Sequence, residues 1–128
     1  MPDQDSPAYR ATILVVDDDA RLCHLVRLLL QQYGYTVLSA LHGEAALFIS
    51  REHRGPIDLL LADIAMTGMS GPQLAQYLCE TRPGMRLLFM SGLVTEKNFH
   101  GVLGAGFLGK PFTPTALVES IEAALHGQ

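Results

Sequence analysis

The chain reads as an α/β domain, a doubly wound parallel sheet in which five strands alternate with five helices. Two observations predict it. Short apolar runs such as Thr12-Ile13-Leu14-Val15-Val16 and Ile57-Asp58-Leu59-Leu60-Leu61-Ala62 have the near-continuous hydrophobicity of strands buried on both faces. Between such runs lie stretches whose apolar residues recur at helical spacing, and that alternation builds βαβ units. Composition agrees, with 48% hydrophobic and 17% charged residues, a tilt that suits a sheet covered by helices on both sides. At 128 residues the chain makes one domain with a real core.

Residues Met1 to Arg10 are polar and proline-interrupted, a flexible leader; residues 11–128 form the domain, with no internal repeat. Thr12 to Val16, β-branched and apolar, is the first strand. Leu22, Leu25, Val26, Leu29 and Tyr33 then recur at helical spacing, with Arg21, Arg27 and Gln31 opposite. Asp19 can cap this helix, and Gly34 stands where a helix end wants a left-handed residue. Tyr35 to Ala40 is the second strand. Glu44 to about Arg51 is the second helix, turning Ala45, Phe48 and Ile49 inward.

Gly55-Pro56 breaks the chain before the central strand, Ile57 to Asp63. Pro72 opens the third helix, which carries Leu74, Ala75 and Leu78 inward, and Pro83-Gly84 ends it. Arg86 to Met90 is the fourth strand, running into Ser91-Gly92. A short fourth helix follows, roughly Thr95 to Leu103, weakened by Gly101. A brief fifth strand around Phe107-Leu108 precedes Lys110-Pro111. Thr113 and Pro114 cap a last helix that buries Leu117, Val118, Ile121 and Leu125.

A net charge of -4 offers no basic footprint for nucleic acid. Cys23 and Cys79 form no CxxC pair and read as small core residues of a reducing compartment. With no secretory signal or membrane-spanning run, the expected location is the cytoplasm, with no membrane partner.

The chemistry gathers at the strand ends. In open parallel sheets, ligands bind in the crevice beyond the carboxyl ends of the strands. The first strand delivers Asp17 and Asp18 to that edge, the third Asp63, the fourth Ser91 and the fifth Lys110. In the order 2-1-3-4-5 these strands are neighbours, so the groups meet. Three carboxylates in one pocket repel one another unless a cation sits among them. Oxygen ligands without His or Cys select a hard ion, and Mg²⁺ suits few carboxylates plus waters. A hydroxyl and an ammonium opposite complete a site for phosphoryl transfer. The implied nucleophile is the Asp63 carboxylate, yielding an acyl phosphate.

With these residues in place, the sequence resembles the receiver domain of two-component response regulators and of hybrid sensor kinases, from about Ala11 to Leu125. The family's acidic pair is matched by Asp17 and Asp18. Its Asp-x-x-Met-Pro-x-Met-x-Gly segment is matched by Asp63-Ile64-Ala65-Met66-Thr67-Gly68-Met69-Ser70-Gly71, its Ser/Thr by Ser91 and its Lys-Pro pair by Lys110-Pro111. The resemblance implies a flavodoxin-like receiver fold. It implies that Asp18, Asp63 and the Ala65 carbonyl ligate Mg²⁺, with Asp17 beside them directly or through water. Ser91 and Lys110 would each hold a phosphoryl oxygen, and the Lys110-Pro111 bond would be cis. The phosphodonor would be a histidine kinase or histidine phosphotransfer protein. The response would be a switch over helix 4, strand 5 and helix 5, a face also suited to a homodimer, with an output partner unspecified. Such a domain is a phosphoacceptor switch that assists its own phosphorylation and dephosphorylation, rather than an enzyme.

Departures from the pattern carry expectations of their own. Thr67 replaces the usual proline, so the turn after Asp63 loses a fixed φ and is expected to be looser. Phe107 aligns with the aromatic that rotates inward when Ser91 engages phosphate; lacking a hydroxyl, it reports by burial or is simply a core residue. Ala65 and Leu93, at the positions that hold the hydrolytic water in the family, cannot hydrogen-bond it through their side chains, which implies slow dephosphorylation. Residues between Ser91 and Lys110 are fewer than usual and rich in glycine, which leaves the output face open to question.

The five histidines show no ligand spacing, and His24 falls on the exposed side of the first helix. Asp58, at the far edge of the sheet, is structural. Two rival functions remain: an interaction module that works without phosphorylation, and an enzyme on a similar sheet. Three aspartates after the first strand repel a flavin phosphate. An aspartate-nucleophile phosphatase would use Asp17 and Asp19 but leaves Asp63 without a role. The leader and an end soon after the last helix are expected of a free-standing regulator more than of a segment of a larger one.

Overall fold

The computed structural model of the chain describes residues 10–92 and 105–126. Five parallel strands form one sheet in the order β2-β1-β3-β4-β5: β1 (Thr12–Val16), β2 (Thr36–Ala40), β3 (Leu59–Asp63), β4 (Arg86–Ser91) and β5 (Gly106–Gly109). The described helices are α1 (Ala20–Gln32), α2 (Gly43–Glu52), α3 (Gly71–Thr81) and α4 (Pro114–Leu125). The helix expected from Thr95 to Leu103 lies outside the described residues, as do Leu93, His100 and all of the leader but Arg10.

The sheet divides two cores, because alternate strand residues face opposite ways. On one side Ile13, Val15, Leu59, Leu61, Leu88 and Met90 pack with α1 and α4 through Cys23, Val26, Leu30, Leu117, Val118 and Ile121. On the other, Leu14, Val16, Leu60, Ala62 and Phe89 pack with α2 and α3 through Ala46, Leu74, Ala75 and Leu78. All five β3 residues are buried, as a strand flanked on both edges and covered on both faces must be.

Local chemistry sets the helix ends. Asp19 caps α1 by accepting from the Arg21 and Leu22 amides, and Gly34 follows the helix with φ +91°. Thr113 caps α4 with Pro114 in its first turn. Ser70 and Gln73 close a reciprocal capping box on α3, with Pro72 in that helix's first turn. His42 caps α2 by accepting the Ala45 amide at 3.2 Å, so that helix starts one residue earlier than its apolar pattern indicates.

Three apolar residues expected on inner helix faces, Leu25, Tyr33 and Phe48, are exposed. Leu25 and Tyr33, expected on the buried stripe of α1, are 57% and 45% exposed; Val26 is buried as expected, with Cys23 and Leu30 beside it. Apolar residues surround so much of α1 that periodicity alone allows either stripe. Phe48, expected inward on α2, is 58% exposed; the inner face carries Gly43, Ala46 and Ser50, residues too small to hold the helix far from its neighbours. Leu125, the last residue of α4, is partly buried and packs against the core, the inward side expected of it.

At the N-terminal edge of the sheet, Asp58 accepts the Thr12 amide at 2.8 Å through Oδ2, while its backbone bonds to both Thr12 and Arg86. It ties three strands together, the structural role expected of it. Cys23 is buried, Cys79 half-buried, and both are free thiols. No described helix is long and apolar enough to cross a membrane.

Candidate functional site

Asp17 follows β1 directly, Asp63 ends β3, Ser91 ends β4 and Lys110 follows β5. All are therefore delivered to the carboxyl edge of the sheet. Register brings them side by side: Asp63 pairs with Met90, the residue before Ser91, and Ser91 pairs with Gly109, the residue before Lys110. The Lys110 amide donates to the Ser91 carbonyl at 2.9 Å, locking the last two strand tips together. The Lys110-Pro111 bond is cis, as the resemblance implies.

One carboxylate oxygen each from Asp17, Asp18 and Asp63 lies within 4.8 Å of the other two. Asp17 and Asp63 are buried, 1% and 7% exposed, and Asp18 is open to solvent. Lys110 Nζ bridges the two buried acids, donating to Asp17 Oδ2 at 2.9 Å and to Asp63 Oδ2 at 3.3 Å. The other Asp17 oxygen, Oδ1, accepts the Asp19 amide at 2.9 Å. Asp18 Oδ2 accepts the Thr67 amide at 3.2 Å from the loop after β3.

Burial holds the Asp63 carboxyl above its ordinary value, and the negative charge of Asp17 adds to the rise. Lys110 and the Ala65 amide, both bonded to the carboxylate, pull down but do not overturn it. Burial alone would lower the Lys110 value. Its hydrogen bond to Asp17 and the charges of Asp17 and Asp63 outweigh that effect, so the ammonium is held above its usual value.

The donor set is chemically selective. Three carboxylates converge with no His or Cys among them, a set of hard oxygen ligands with too much negative charge for one lysine to neutralise. These residues fit a small divalent cation.

Ser91 is buried at 3% exposure, and Phe107, half-buried in β5, is paired with Phe89 in the sheet register. Ala65 is exposed in the loop beyond Asp63. That loop is held at both ends although Thr67 replaces the usual proline. Gly68 takes the left-handed turn at φ +84°, Met66 is buried, and the Gly71 amide returns to the Ile64 carbonyl at 3.0 Å. Met69 packs against Gly43, where a Cβ would come within 2.7 Å of its sulfur. Asp17, Asp18, Asp63, Ser91 and Lys110 thus gather at this one edge, whereas Phe107 lies within β5, two residues before its end. The bond from Thr67 to Asp18 escaped the sequence reading; its signal was the loss of proline, which restores an N–H to position 67.

A family model described as the response regulator receiver domain matches residues 13–122. Among curated proteins, the sensor kinase CckA of Brucella abortus (strain 2308) is 37% identical over 122 residues, 92% of this chain and 13% of that protein. The response regulator GtcR of Aneurinibacillus migulanus is 34% identical over 117 residues, 90% of this chain and 48% of that protein. The chain thus spans about half or less of the length of these relatives. Among solved structures, the Vibrio cholerae chemotaxis protein CheY4 superposes with a TM-score of 0.82 at 26% identity, covering 92% of this chain and all of that one. The receiver domain from the hybrid histidine kinase CckA superposes with a TM-score of 0.72 at 34% identity, covering 90% of this chain and 99% of that one.

Proposed function

The chain belongs to the response regulator receiver domain family, and from that premise we propose that it accepts a phosphoryl group on Asp63 from a phosphohistidine and switches its output face in response. The observation that carries this reading is the convergence of three carboxylate oxygens within 4.8 Å around a bridging lysine at the sheet edge.

The chemistry follows from the residues. An oxygen of the ionised Asp63 carboxylate attacks phosphorus; the new O–P bond forms as the donor's N–P bond breaks, and the imidazole leaves with the electron pair and takes up a proton. Charge builds on the phosphoryl oxygens during transfer, and Lys110 and Ser91 each engage one of them. Asp18, Asp63 and the Ala65 carbonyl would hold Mg²⁺, with Asp17 beside them directly or through water, and the bound ion would neutralise negative charge on the phosphoryl group. The chain acts once per donor encounter, a switch rather than a turnover enzyme, and assists its own phosphorylation and hydrolysis.

The partners on this reading are a histidine kinase or histidine phosphotransfer protein and an output partner reached through the face made by residues 95–103, β5 and α4. A homodimer through the same face, without nucleic-acid or membrane contact, belongs to the same reading, as does a cytoplasmic setting. Phe107 is the aromatic of the switch. The test is incubation with Mg²⁺ and acetyl phosphate, followed by intact-protein mass measurement. A phosphoryl adduct is expected on the parent and absent from Asp63→Asn; an equal adduct on both overturns the assignment.

A further inference from the structure

Lys110 compensates Asp17 and Asp63, the two buried acids. Asp18 is held differently. Its Oδ2 accepts a main-chain donor, the Thr67 amide, at 3.2 Å across 49 residues of sequence. We infer that the Thr67 N–H is a positioning group for the cation site, fixing the Asp18 carboxylate before the ion arrives. This rests on the reading of the acid basin as a Mg²⁺ site.

The position of the donor is what makes it useful. Thr67 stands between Met66, buried in the α2–α3 core, and Gly68, whose φ of +84° turns the chain. Met69, seated on Gly43, and the Gly71-to-Ile64 bond anchor the far side of the loop. A donor on a loop pinned at several points loses little entropy when it makes its bond, so the carboxylate it holds is oriented in advance. An exposed aspartate without such a bond has to surrender rotamer freedom when a cation binds. Bonds to the ligating side chains are the means by which an outer shell raises metal affinity. A proline at 67 removes the donor outright, having no N–H.

The action is through the backbone, so side-chain and backbone changes separate. In calorimetric titration with Mg²⁺ alone, Thr67→Pro is expected to weaken binding about threefold to tenfold, the range for loss of one charge-assisted hydrogen bond near solvent. Thr67→Ala, which keeps the N–H, is expected to retain the parent affinity. A second measurement leaves the loop sequence intact: in the Mg²⁺-free protein, Asp18→Ala should move the Thr67 amide proton resonance upfield and speed its exchange with solvent. Parent-like Mg²⁺ affinity in Thr67→Pro, or a Thr67 amide indifferent to Asp18→Ala, overturns the inference while leaving the metal site standing. Absence of saturable Mg²⁺ binding by the parent overturns both.

Discussion

Lys110 Nζ lies closer to Asp17 Oδ2, at 2.9 Å, than to Asp63 Oδ2, at 3.3 Å. The lysine that would meet a phosphoryl oxygen on Asp63 is thus held chiefly by the acid on the neighbouring strand. Asp17 keeps that ammonium in the basin, and its other oxygen is fixed by the Asp19 amide. Orientation of the lysine is prepared before any phosphodonor binds.

Lys110→Met therefore removes a charge that pulls the Asp63 value down. The Asp63 carboxyl is expected to titrate at a higher pH than in the parent, read from the carboxyl carbon resonance of the Mg²⁺-free protein. Phosphorylation by acetyl phosphate is expected to slow by on the order of 10²-fold, the usual effect of deleting one donor to a developing oxyanion. An unmoved Asp63 titration would show that the lysine does not act on this carboxylate.

The raised Asp63 value has a stability consequence in the Mg²⁺-free protein. A group whose folded value exceeds its unfolded one stabilises the fold fully below the unfolded value, near 3.8, and loses that contribution as pH rises through the folded value. Above the folded value the carboxylate is charged and the contribution is gone. Asp63→Asn, which keeps the neutral shape, is expected to melt higher than the parent at pH 7 without Mg²⁺. Thermal scans from pH 3 to 8 should show the gap closing as the solution becomes acid; a gap that widens toward acid pH contradicts the sign.

Adding Mg²⁺ stabilises the parent. At ten times its dissociation constant, a ligand confined to the folded state stabilises by about 1.4 kcal/mol. For a domain of this size the melting midpoint rises by about 3–8 °C. Asp18→Ala and Asp63→Asn are expected to show little of that rise, and chelation with EDTA to abolish it in the parent.

Arg82, at the end of α3, binds the C-terminal end of α2 and the loop beyond it. Its guanidinium donates to the Ser50 hydroxyl and carbonyl and to the carbonyls of His53 and Gly55, at 2.8 to 3.0 Å. Arg82→Ala strands these partly buried acceptors and is expected to cost about 2–3 kcal/mol. Denaturant melts should show the loss with Mg²⁺ affinity unchanged, because the cluster lies away from the acid basin.

Ala65 is exposed beside Asp63 and brings no hydrogen-bonding side chain to a water in line with phosphorus. The phosphorylated protein is expected to lose its label over minutes to hours, and Ala65→Asn to lose it severalfold faster. A parent half-life of seconds contradicts this.

Much of the candidate site was legible because its residues stand at strand ends or directly after them. A strand has only two ends, and a parallel sheet sends all the equivalent ends to one edge, so Asp17, Asp63, Ser91 and Lys110 had to arrive together. The caps Asp19 and Thr113 were equally local, each set by a side chain within three residues of its amide. Phe48, Leu25 and Tyr33 were not legible, because a helix with apolar residues on several sides leaves its inner face to whatever it packs against.

From the order of its residues alone, the chain specifies a five-stranded parallel sheet, the edge where its acids collect and the carboxylate chemistry they favour. Periodicity and strand termini are properties of neighbouring residues. Which oxygen the lysine grips, and that a loop amide holds Asp18, depend on contacts spanning 93 and 49 residues of sequence. Local pattern carries no record of such pairs; folding the strands into register brings them within reach.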